Sequence, residues 1–353
     1  VMFGFNAQHT HFNSAEHILA PANVSQLVLD WMTPTGGIIG SEPTVANGIV
    51  YIGSYDHKLY AFNATTGATL WTASTGDSIG SSPAVAKGIV YVGSDDYHLY
   101  AFNAATGATL WSASTGKYIE SSPAVANGIV YVGSYDHNLY AFNAATGATI
   151  WVATTGNNID SSPAVANGIV YVGSEDYHLY AFNAATGATL WSAFIGNFIV
   201  SSPAIANGVV YVGSQDHKLY AFNATTGATL WTASTGDIIY SSPAIADGVV
   251  YVGSRDHKLY AFNAATGATL WSASTGEVID SSPAVANGVV YIGSYDHKLY
   301  AFNAATGATL WSASTGEVID SSPAVANGVV YIGSYDHKLY AFNAATGATL
   351  WSA

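Results

Sequence analysis

Short apolar runs separated by polar turns recur along the whole chain. In one unit, residues 89–94 and 98–103 are rich in β-branched and aromatic residues, and residues 81–86 and 108–114 flank them. The connections contain Gly, Asn and Asp, which favour tight turns. No long run with helical periodicity interrupts them. Each unit is therefore predicted to form four short strands, named A to D in chain order.

The same unit repeats with a period of forty residues. Nine tryptophans mark one register, and the last two repeats, residues 272–311 and 312–351, are identical in sequence. The tryptophans are Trp31, Trp71, Trp111, Trp151, Trp191, Trp231, Trp271, Trp311 and Trp351. A four-stranded unit of about 40 residues is typical of a β-propeller blade. We predict an all-β, eight-bladed β-propeller of four-stranded antiparallel blades.

The positions of the prolines indicate how each blade is oriented. Eight of the ten prolines occupy one register in strand A, as Pro83 does. Proline cannot donate a hydrogen bond to a neighbouring strand, so strand A is predicted to be an edge, innermost beside the channel. Strands B and C are apolar on both faces, as expected for a blade between two neighbours. The tryptophan of strand D is expected to pack between blades.

Composition excludes several classes of function. The 353 residues carry a net charge of −14 with only eight Lys and Arg, so on electrostatic grounds we expect no nucleic acid as a partner. No cysteine is present, which excludes disulfides, thiol nucleophiles and cysteine-based metal sites. No apolar run reaches the ~18 residues of a membrane span.

Differences between the repeats concentrate in two loops. The D–A connections and B–C turns vary, whereas the A–B and C–D turns are nearly constant, and alternate loops of a blade lie at the same end. The variable loops also hold almost all of the acidic residues, a charge that would steer basic partners. We expect a protein or small polar ligand to bind this face, with no metal. The candidate partner-binding residues are Tyr118, Glu120, Asp160, Glu175, Tyr240, Arg255, Asp280 and Asp320.

Aspartates and histidines recur in the B–C turns, and both residue types can bind metal ions. Asp96 and His98 represent these sets, and His9 and His11 lie two residues apart in the leader. Aspartate also stabilises turns by accepting hydrogen bonds from backbone N–H groups. Adjacent copies lie one blade apart, too far to share a ligand. We expect turn and loop roles for these residues, and no catalytic residue.

The C–D region carries a recognisable motif. The pattern Ala-x-Asp-x-x-Thr-Gly-x-x-x-Trp is present as Ala101, Asn103, Thr106, Gly107 and Trp111, with Asn in place of Asp, and recurs eight times. It resembles the pyrroloquinoline-quinone-type (PQQ-like) β-propeller repeat, over about residues 27–353. The resemblance implies an extracytoplasmic location (periplasmic, secreted or cell-surface), although no signal peptide is visible.

The resemblance covers both enzymes and binding proteins. The quinone-dependent dehydrogenases of this family use an adjacent cysteine pair, calcium and a catalytic aspartate. This chain has no cysteine, and its symmetric repeats contain no unique acid–base group. We expect the non-catalytic branch, a binding or scaffold protein without a cofactor. The alternatives are a PQQ-dependent oxidoreductase, and a designed or recently amplified repeat protein with no evolved ligand.

The two ends of the chain offer alternative ways to close the ring. Residues 1–26 are expected to pack on the propeller as a leader. Residues 27–33 carry Trp31 at the strand D register, and we predict that they complete the blade of residues 321–343, as in related propellers. Residues 344–353 would then be displaced, disordered or paired with another molecule. The alternative is closure by this C-terminal copy. We expect a monomer, with strand exchange favoured by the near-identical blades.

Overall fold

Each 40-residue unit folds into one antiparallel sheet with its strands in chain order. The structure is a computed structural model that describes Asn6 and residues 35–352. Eight four-stranded sheets form a ring, which confirms the predicted eight-bladed β-propeller. In this part of the chain, no helix is long and apolar enough to cross a bilayer.

The strands have the following bounds, from blade 1 to blade 8. Strands A are Thr44–Ala46, Ala84–Ala86, Ala124–Ala126, Ala164–Ala166, Ala204–Ala206, Ala244–Ala246, Ala284–Ala286 and Ala324–Ala326. Strands B are Ile49–Ser54, Ile89–Gly93, Ile129–Gly133, Ile169–Gly173, Val209–Ser214, Val249–Ser254, Val289–Ser294 and Val329–Ser334. Strands C are Lys58–Asn63, His98–Asn103, Asn138–Asn143, His178–Asn183, Lys218–Asn223, Lys258–Asn263, Lys298–Asn303 and Lys338–Asn343. Strands D are Thr69–Ser74, Thr109–Ser114, Thr149–Thr154, Thr189–Phe194, Thr229–Ser234, Thr269–Ser274, Thr309–Ser314 and Thr349–Ser352.

Strand A is the inner edge of each blade, as the prolines predict, but it is shorter than expected. In blade 2 it begins at Ala84 and not at Ser81. Ser81 Oγ instead accepts a hydrogen bond from Gly93 N at 3.1 Å, and Ser82 N donates to Ser122 Oγ of the next blade at 2.9 Å. The residues before the proline therefore join strands and blades and do not extend the ladder. Strands A of adjacent blades contact each other around the channel.

The tryptophan of strand D connects neighbouring blades, as predicted. Trp71 Nε1 donates to Ala104 O of the next blade at 3.1 Å, and Tyr51 OH donates to the same carbonyl at 3.0 Å. The indole lies against Gly107, which has a φ of +71°, and a Cβ at Gly107 would lie 2.6 Å from the ring. Glycine is required there by both backbone conformation and space. The Thr-Gly of the motif thus serves the contact between blades.

The last blade is closed by the C-terminal copy of strand D. Thr349–Ser352 pairs with Lys338–Asn343, and Ala341 lies opposite Trp351. Our expectation that residues 344–353 are displaced is therefore wrong: the edge accepts this segment in the register that every other blade uses. The predicted closing segment, residues 27–33, lies outside the described residues, as does the leader 1–26 apart from Asn6.

The first described connector is attached to the last blade. Thr35 Oγ1 donates to His337 O at 3.1 Å, which repeats the bond from Thr75 Oγ1 to His57 O within blade 1. Tyr331 OH of blade 8 donates to Ala64 O of blade 1 at 3.4 Å. The contacts that join consecutive blades thus also join the first to the last.

Candidate partner-binding site at the channel mouth

The two variable loops of the repeat lie against each other. Tyr55 N, in a B–C turn, donates to Ile38 O in the preceding D–A connection at 3.0 Å, and Asp95 N donates to Ser78 O at 3.0 Å. At the opposite end, the constant turns meet in the same way, with Ala104 N donating to Gly88 O at 2.9 Å. The variable sequence positions therefore share one end of the ring, called here the variable face.

The recurring aspartate of the B–C turn is held by its own blade and by the connector before it. Asp96 Oδ2 accepts hydrogen bonds from Tyr100 OH at 2.6 Å and from Gly76 N at 2.6 Å. The next residue, Tyr97, has a φ of +72°, so the carboxylate stabilises a tight left-handed turn. Across residues 35–350, no group of three acidic or histidine side chains is arranged to hold a metal ion. His9 and His11 lie outside the described residues.

The channel opens on the variable face through two rings of side chains that line a cavity of about 170 Å³. The outer ring follows the D–A connections and consists of Gly40, Gly80, Glu120, Asp160, Val200, Tyr240, Asp280 and Asp320. The inner ring lies two residues further along each repeat and consists of Glu42, Ser82, Ser122, Ser162, Ser202, Ser242, Ser282 and Ser322. The mouth is therefore lined by oxygen atoms and by four carboxyl groups in its outer ring.

The inner ring is a circular hydrogen-bonded chain with one substitution. Ser82 N donates to Ser122 Oγ at 2.9 Å, and equivalent bonds continue around the ring to Ser282 N and Ser322 Oγ. Glu42 occupies the eighth position, donates its N–H to Ser82 Oγ at 2.9 Å, and forms a side-chain hydrogen bond with Ser322. Only 8% of Glu42 is exposed. Burial raises the pKa of its carboxyl group to about 8, so the group is protonated at neutral pH.

One half of the mouth contains carboxylates with donors. Arg255 Nε and Nη2 donate to Asp280 Oδ1 and Oδ2 at 2.8 and 2.6 Å, a bidentate pair. The guanidinium also lies 4.1 Å from the centre of the Tyr240 ring. Asp320 accepts hydrogen bonds from Tyr335 OH at 2.8 Å and from Tyr295 OH at 3.2 Å. Asp280 therefore has a cation within the protein, and Asp320 has two tyrosine donors.

The other half contains carboxyl groups without a cation. Glu120 Oε2 accepts from Tyr135 OH at 3.3 Å, and Glu175 Oε2 accepts from Asn158 Nδ2 at 2.9 Å. Burial, followed by repulsion from Glu120 and Glu175, raises the pKa of Asp160 to about 7. Burial also raises the pKa of Glu120. Within the described residues, no lysine, arginine or histidine forms an ion pair with these three carboxyl groups.

Tyrosines surround this second half. Tyr55 fills the space beside Gly40 and Gly80, where a Cβ at Gly40 would lie 3.0 Å from its hydroxyl oxygen. Burial and then the nearby carboxylates, Glu120 first, raise the pKa of Tyr55 to about 12. Tyr118 contacts Tyr135, with ring centres 4.9 Å apart. An aromatic wall beside uncompensated carboxylates is a chemical environment suited to a cationic group.

The sequence-predicted residues are brought together only in part. Glu120, Asp160, Tyr240, Asp280 and Asp320 line the channel, whereas Arg255, Glu175 and Tyr118 lie beside it in contact with other mouth residues. Sequence reasoning missed Glu42, although its signal was visible as the one departure from serine in its register. It also did not select the tyrosines of the B–C turns, Tyr55, Tyr135, Tyr295 and Tyr335, as site residues.

The channel mouth does not suit pyrroloquinoline quinone, the cofactor of the quinone-dependent dehydrogenases with this kind of repeat. The quinone carries several carboxylates and is anionic at neutral pH. The outer ring presents Glu120, Asp160, Asp280 and Asp320, and its neighbouring cation, Arg255, is already engaged by Asp280. Repulsion between like charges would oppose binding at this position.

Together, these features define an eight-bladed β-propeller with a polar axial channel and one diversified face. A family model described as outer membrane protein assembly factor BamB, of the PQQ-like repeat type, matches residues 22–120, 100–198, 196–278 and 255–353. The chain belongs to this family, which confirms the resemblance drawn from the motif. A comparison with curated proteins found no match.

Solved structures with the same fold include a BamB protein, a designed protein and a dehydrogenase. BamB from Moraxella catarrhalis is 19% identical, with a TM-score of 0.73 over 90% of this chain and 98% of that one. The computationally designed Ika8 protein is 18% identical, with a TM-score of 0.78 over 89% and 98%. A europium-containing methanol dehydrogenase is 16% identical, with a TM-score of 0.77 over 97% and 88%. At these identities the likeness shows the fold alone.

Proposed function

We propose that this protein is a non-catalytic binding protein whose variable face holds a basic segment of a protein partner. The observation that carries the proposal is the asymmetry of the channel mouth. Asp280 has Arg255 as a bidentate partner, whereas Glu120, Asp160 and Glu175 lie close together and form no ion pair with a cation of the described residues. Burial and then repulsion from Glu120 and Glu175 raise the pKa of Asp160, and a lysine or arginine side chain from a partner would relieve that repulsion.

The shape of the mouth supports a side chain as the bound group and not a large cofactor. The cavity measures about 170 Å³, and its second ring consists of serines and the protonated Glu42. An ammonium or guanidinium group has donors for carboxylate oxygens and stacks favourably on tyrosine faces. The family match to a BamB model supports a protein as the source of that group.

A peptide titration tests the proposal with a matched control at the opposite end of the ring. Two synthetic peptides, one with a central lysine and one with norleucine at the same place, are titrated by NMR. We expect the lysine peptide to bind the wild type more tightly than the norleucine peptide does. The double variant Glu120→Gln/Asp160→Asn should bind the lysine peptide at least about ten-fold more weakly than the wild type. Asp247→Asn removes one acid from a constant A–B turn and should leave binding unchanged.

Two results would contradict the proposal. Equal binding of both peptides would mean that charge is not what the mouth recognises. A larger loss in Asp247→Asn than in the double variant would place the binding site at the constant end. Binding should also weaken as salt is raised, because salt screens the attraction between the cation of the peptide and the carboxylates of the mouth.

The alternatives make different predictions for the same preparation. An oxidoreductase would shift the absorbance of added pyrroloquinoline quinone and calcium and would then oxidise an alcohol or aldose; we expect neither. A designed or recently amplified repeat protein without a ligand would bind neither peptide. Two observations favour that last alternative. Repeats 272–311 and 312–351 are identical in sequence, and the designed Ika8 protein has the same fold. We propose an extracytoplasmic location, on the family match.

A further inference from the structure

Blade 4 exposes an aromatic side chain where the other repeats are polar. Phe194 is 66% exposed, more than any other large hydrophobic residue in the described part of the chain. It ends strand D, at the border of the variable face. The equivalent positions in the other described D–A connections that follow a full strand D are Ser74, Ser114, Thr154, Ser234, Ser274 and Ser314.

Phe194 belongs to a cluster of four rings, called here the blade 4 patch: Tyr177, His178, Phe194 and Phe198. The ring centres of Tyr177 and Phe198 are 5.3 Å apart, and those of His178 and Phe194 are 5.4 Å apart. Tyr177 meets Phe194 edge-on at 6.4 Å. Tyr177 is 38% exposed, so the cluster presents a continuous aromatic surface to solvent.

In blade 2 the matching positions form hydrogen bonds and no aromatic patch. It has the same Tyr-His pair, Tyr97 and His98, but Ser114 Oγ is bonded to His98 Nε2 at 3.1 Å. Thr115 Oγ1 donates to Tyr97 O at 3.0 Å. Phe and Ile at the matching positions of blade 4 cannot form these bonds. Burial of Ile195 in the core compensates for the hydrogen bond that Thr115 forms in blade 2, but Phe194 remains exposed to solvent.

An exposed aromatic cluster that gains no burial in the isolated chain is typical of a protein-binding surface. The charge beside the cluster indicates what kind of partner fits. Glu175 precedes Tyr177 by two residues in the same turn, and its carboxylate is bonded to the neutral Asn158. In the described part of the chain no cation forms an ion pair with Glu175. A basic group next to an apolar one would complement this surface.

We propose that the blade 4 patch is the anchor site for a protein segment that presents an aromatic or aliphatic side chain next to a lysine or arginine. The inference rests on the proposed function, because the patch lies on the variable face beside the uncompensated half of the mouth. It adds an apolar anchor to the recognition of charge. The anchor side chain packs against Phe194 and Tyr177, and the adjacent basic group meets Glu175.

The test uses two labelled peptides that differ at one residue, Ac-Gly-Lys-Phe-Lys-Gly-amide and Ac-Gly-Lys-Ser-Lys-Gly-amide. Their dissociation constants are measured for the wild-type chain, for Phe194→Ser and for Leu270→Ser. Leu270 is 50% exposed on blade 6, so its replacement removes exposed apolar surface elsewhere. Phe194→Ser introduces the residue that blades 1, 2, 5, 6 and 7 already carry, so folding should be preserved.

We expect the phenylalanine peptide to bind the wild type about ten-fold more tightly than the serine peptide. That advantage should disappear in Phe194→Ser and persist in Leu270→Ser. The advantage should also persist in Glu120→Gln/Asp160→Asn, where only the charge-dependent binding of both peptides falls. Failure of the anchor and failure of the charged mouth are thereby distinguished.

Three results would overturn the inference. The two peptides could bind the wild type equally, the advantage could survive Phe194→Ser, or it could fall equally in Leu270→Ser. Sedimentation of the wild type and of Phe194→Ser tests whether a second copy of this chain occupies the patch instead. A wild-type dimer that Phe194→Ser dissociates would assign the patch to a second copy of this chain and not to a basic partner.

Discussion

Replacing Glu42 by serine should stabilise the protein and change how its stability depends on pH. Glu42 is the one carboxyl group in a ring otherwise made of serines, and it is bonded to Ser82 and Ser322. The ionisable groups that share the channel lining are Glu120, Asp160, Tyr240, Asp280 and Asp320, and four of these five are acids. Burial would remove the ionised carboxylate of Glu42 from water, so the fold favours its protonated form.

The size of the effect follows from the two pKa values. Burial raises the pKa of Glu42 from 4.5 to about 8. At about 1.36 kcal/mol per pH unit, the difference amounts to at most about 5 kcal/mol. Between pH 4.5 and 8 the folded chain keeps a proton that the unfolded chain has released. The free energy of unfolding therefore falls as the pH rises through this window and levels off above it.

Denaturant unfolding at pH 5, 7 and 9 measures this contribution. We expect Glu42→Ser to exceed the wild type in stability by an amount that grows from pH 5 to pH 9, up to about 5 kcal/mol. Glu42→Gln should give the same change of slope, because it also lacks an ionisable group. Glu317→Gln, at a carboxylate that is 57% exposed, serves as the control and should run parallel to the wild type.

Parallel curves for the wild type and Glu42→Ser would refute this reasoning. They would mean that Glu42 ionises with an ordinary pKa, and hence that water reaches the ring. A larger loss of stability in Glu42→Ser than in Glu42→Gln at pH 5 would show that the length of the side chain matters more than its charge.

Three further predictions follow from other contacts. Binding of a lysine peptide should strengthen between pH 6 and 8 as Asp160, with a pKa of about 7, becomes charged, and Asp160→Asn should flatten that profile in NMR titrations. Gly107→Ala should cost more stability than Gly88→Ala in chemical unfolding: both have a positive φ, worth about 1–2 kcal/mol, but only at Gly107 does the new methyl group meet an indole ring, for about 1–3 kcal/mol more. Deleting residues 344–353 should lower the melting temperature by exposing the edge of Lys338–Asn343, and an unchanged melting curve would indicate that another segment takes this edge.

Much of the fold could be predicted from the sequence because the relevant signals are local and repeated. The strand runs and turn residues of one unit define a blade, and the number of units defines the ring. The recurring prolines indicated the inner edge, although each of them lies directly before strand A and not within it, as Pro83 does before Ala84–Ala86. The common end of the two variable loops followed from the up-and-down order of strands alone.

The candidate site could be predicted only as a face. Five of the eight chosen residues line the channel, because they share one register of the repeat. Side chains from different blades decide that Arg255 pairs with Asp280 and that, in the described part of the chain, Glu120 and Asp160 have no such partner. A repeat register shows that a position varies, but it does not show which neighbour each side chain reaches.

Two features were decided by the tertiary structure alone. Glu42 is one departure from serine in the sequence, and only closure of the ring buries it between blades 8 and 1, where desolvation outweighs its hydrogen bond and raises its pKa. The strand that completes blade 8 could not be chosen from the sequence, because the copies with Trp31 and Trp351 share the same register. A sheet edge offers the same backbone hydrogen bonds to either copy, and in the described residues the copy that pairs there is Thr349–Ser352.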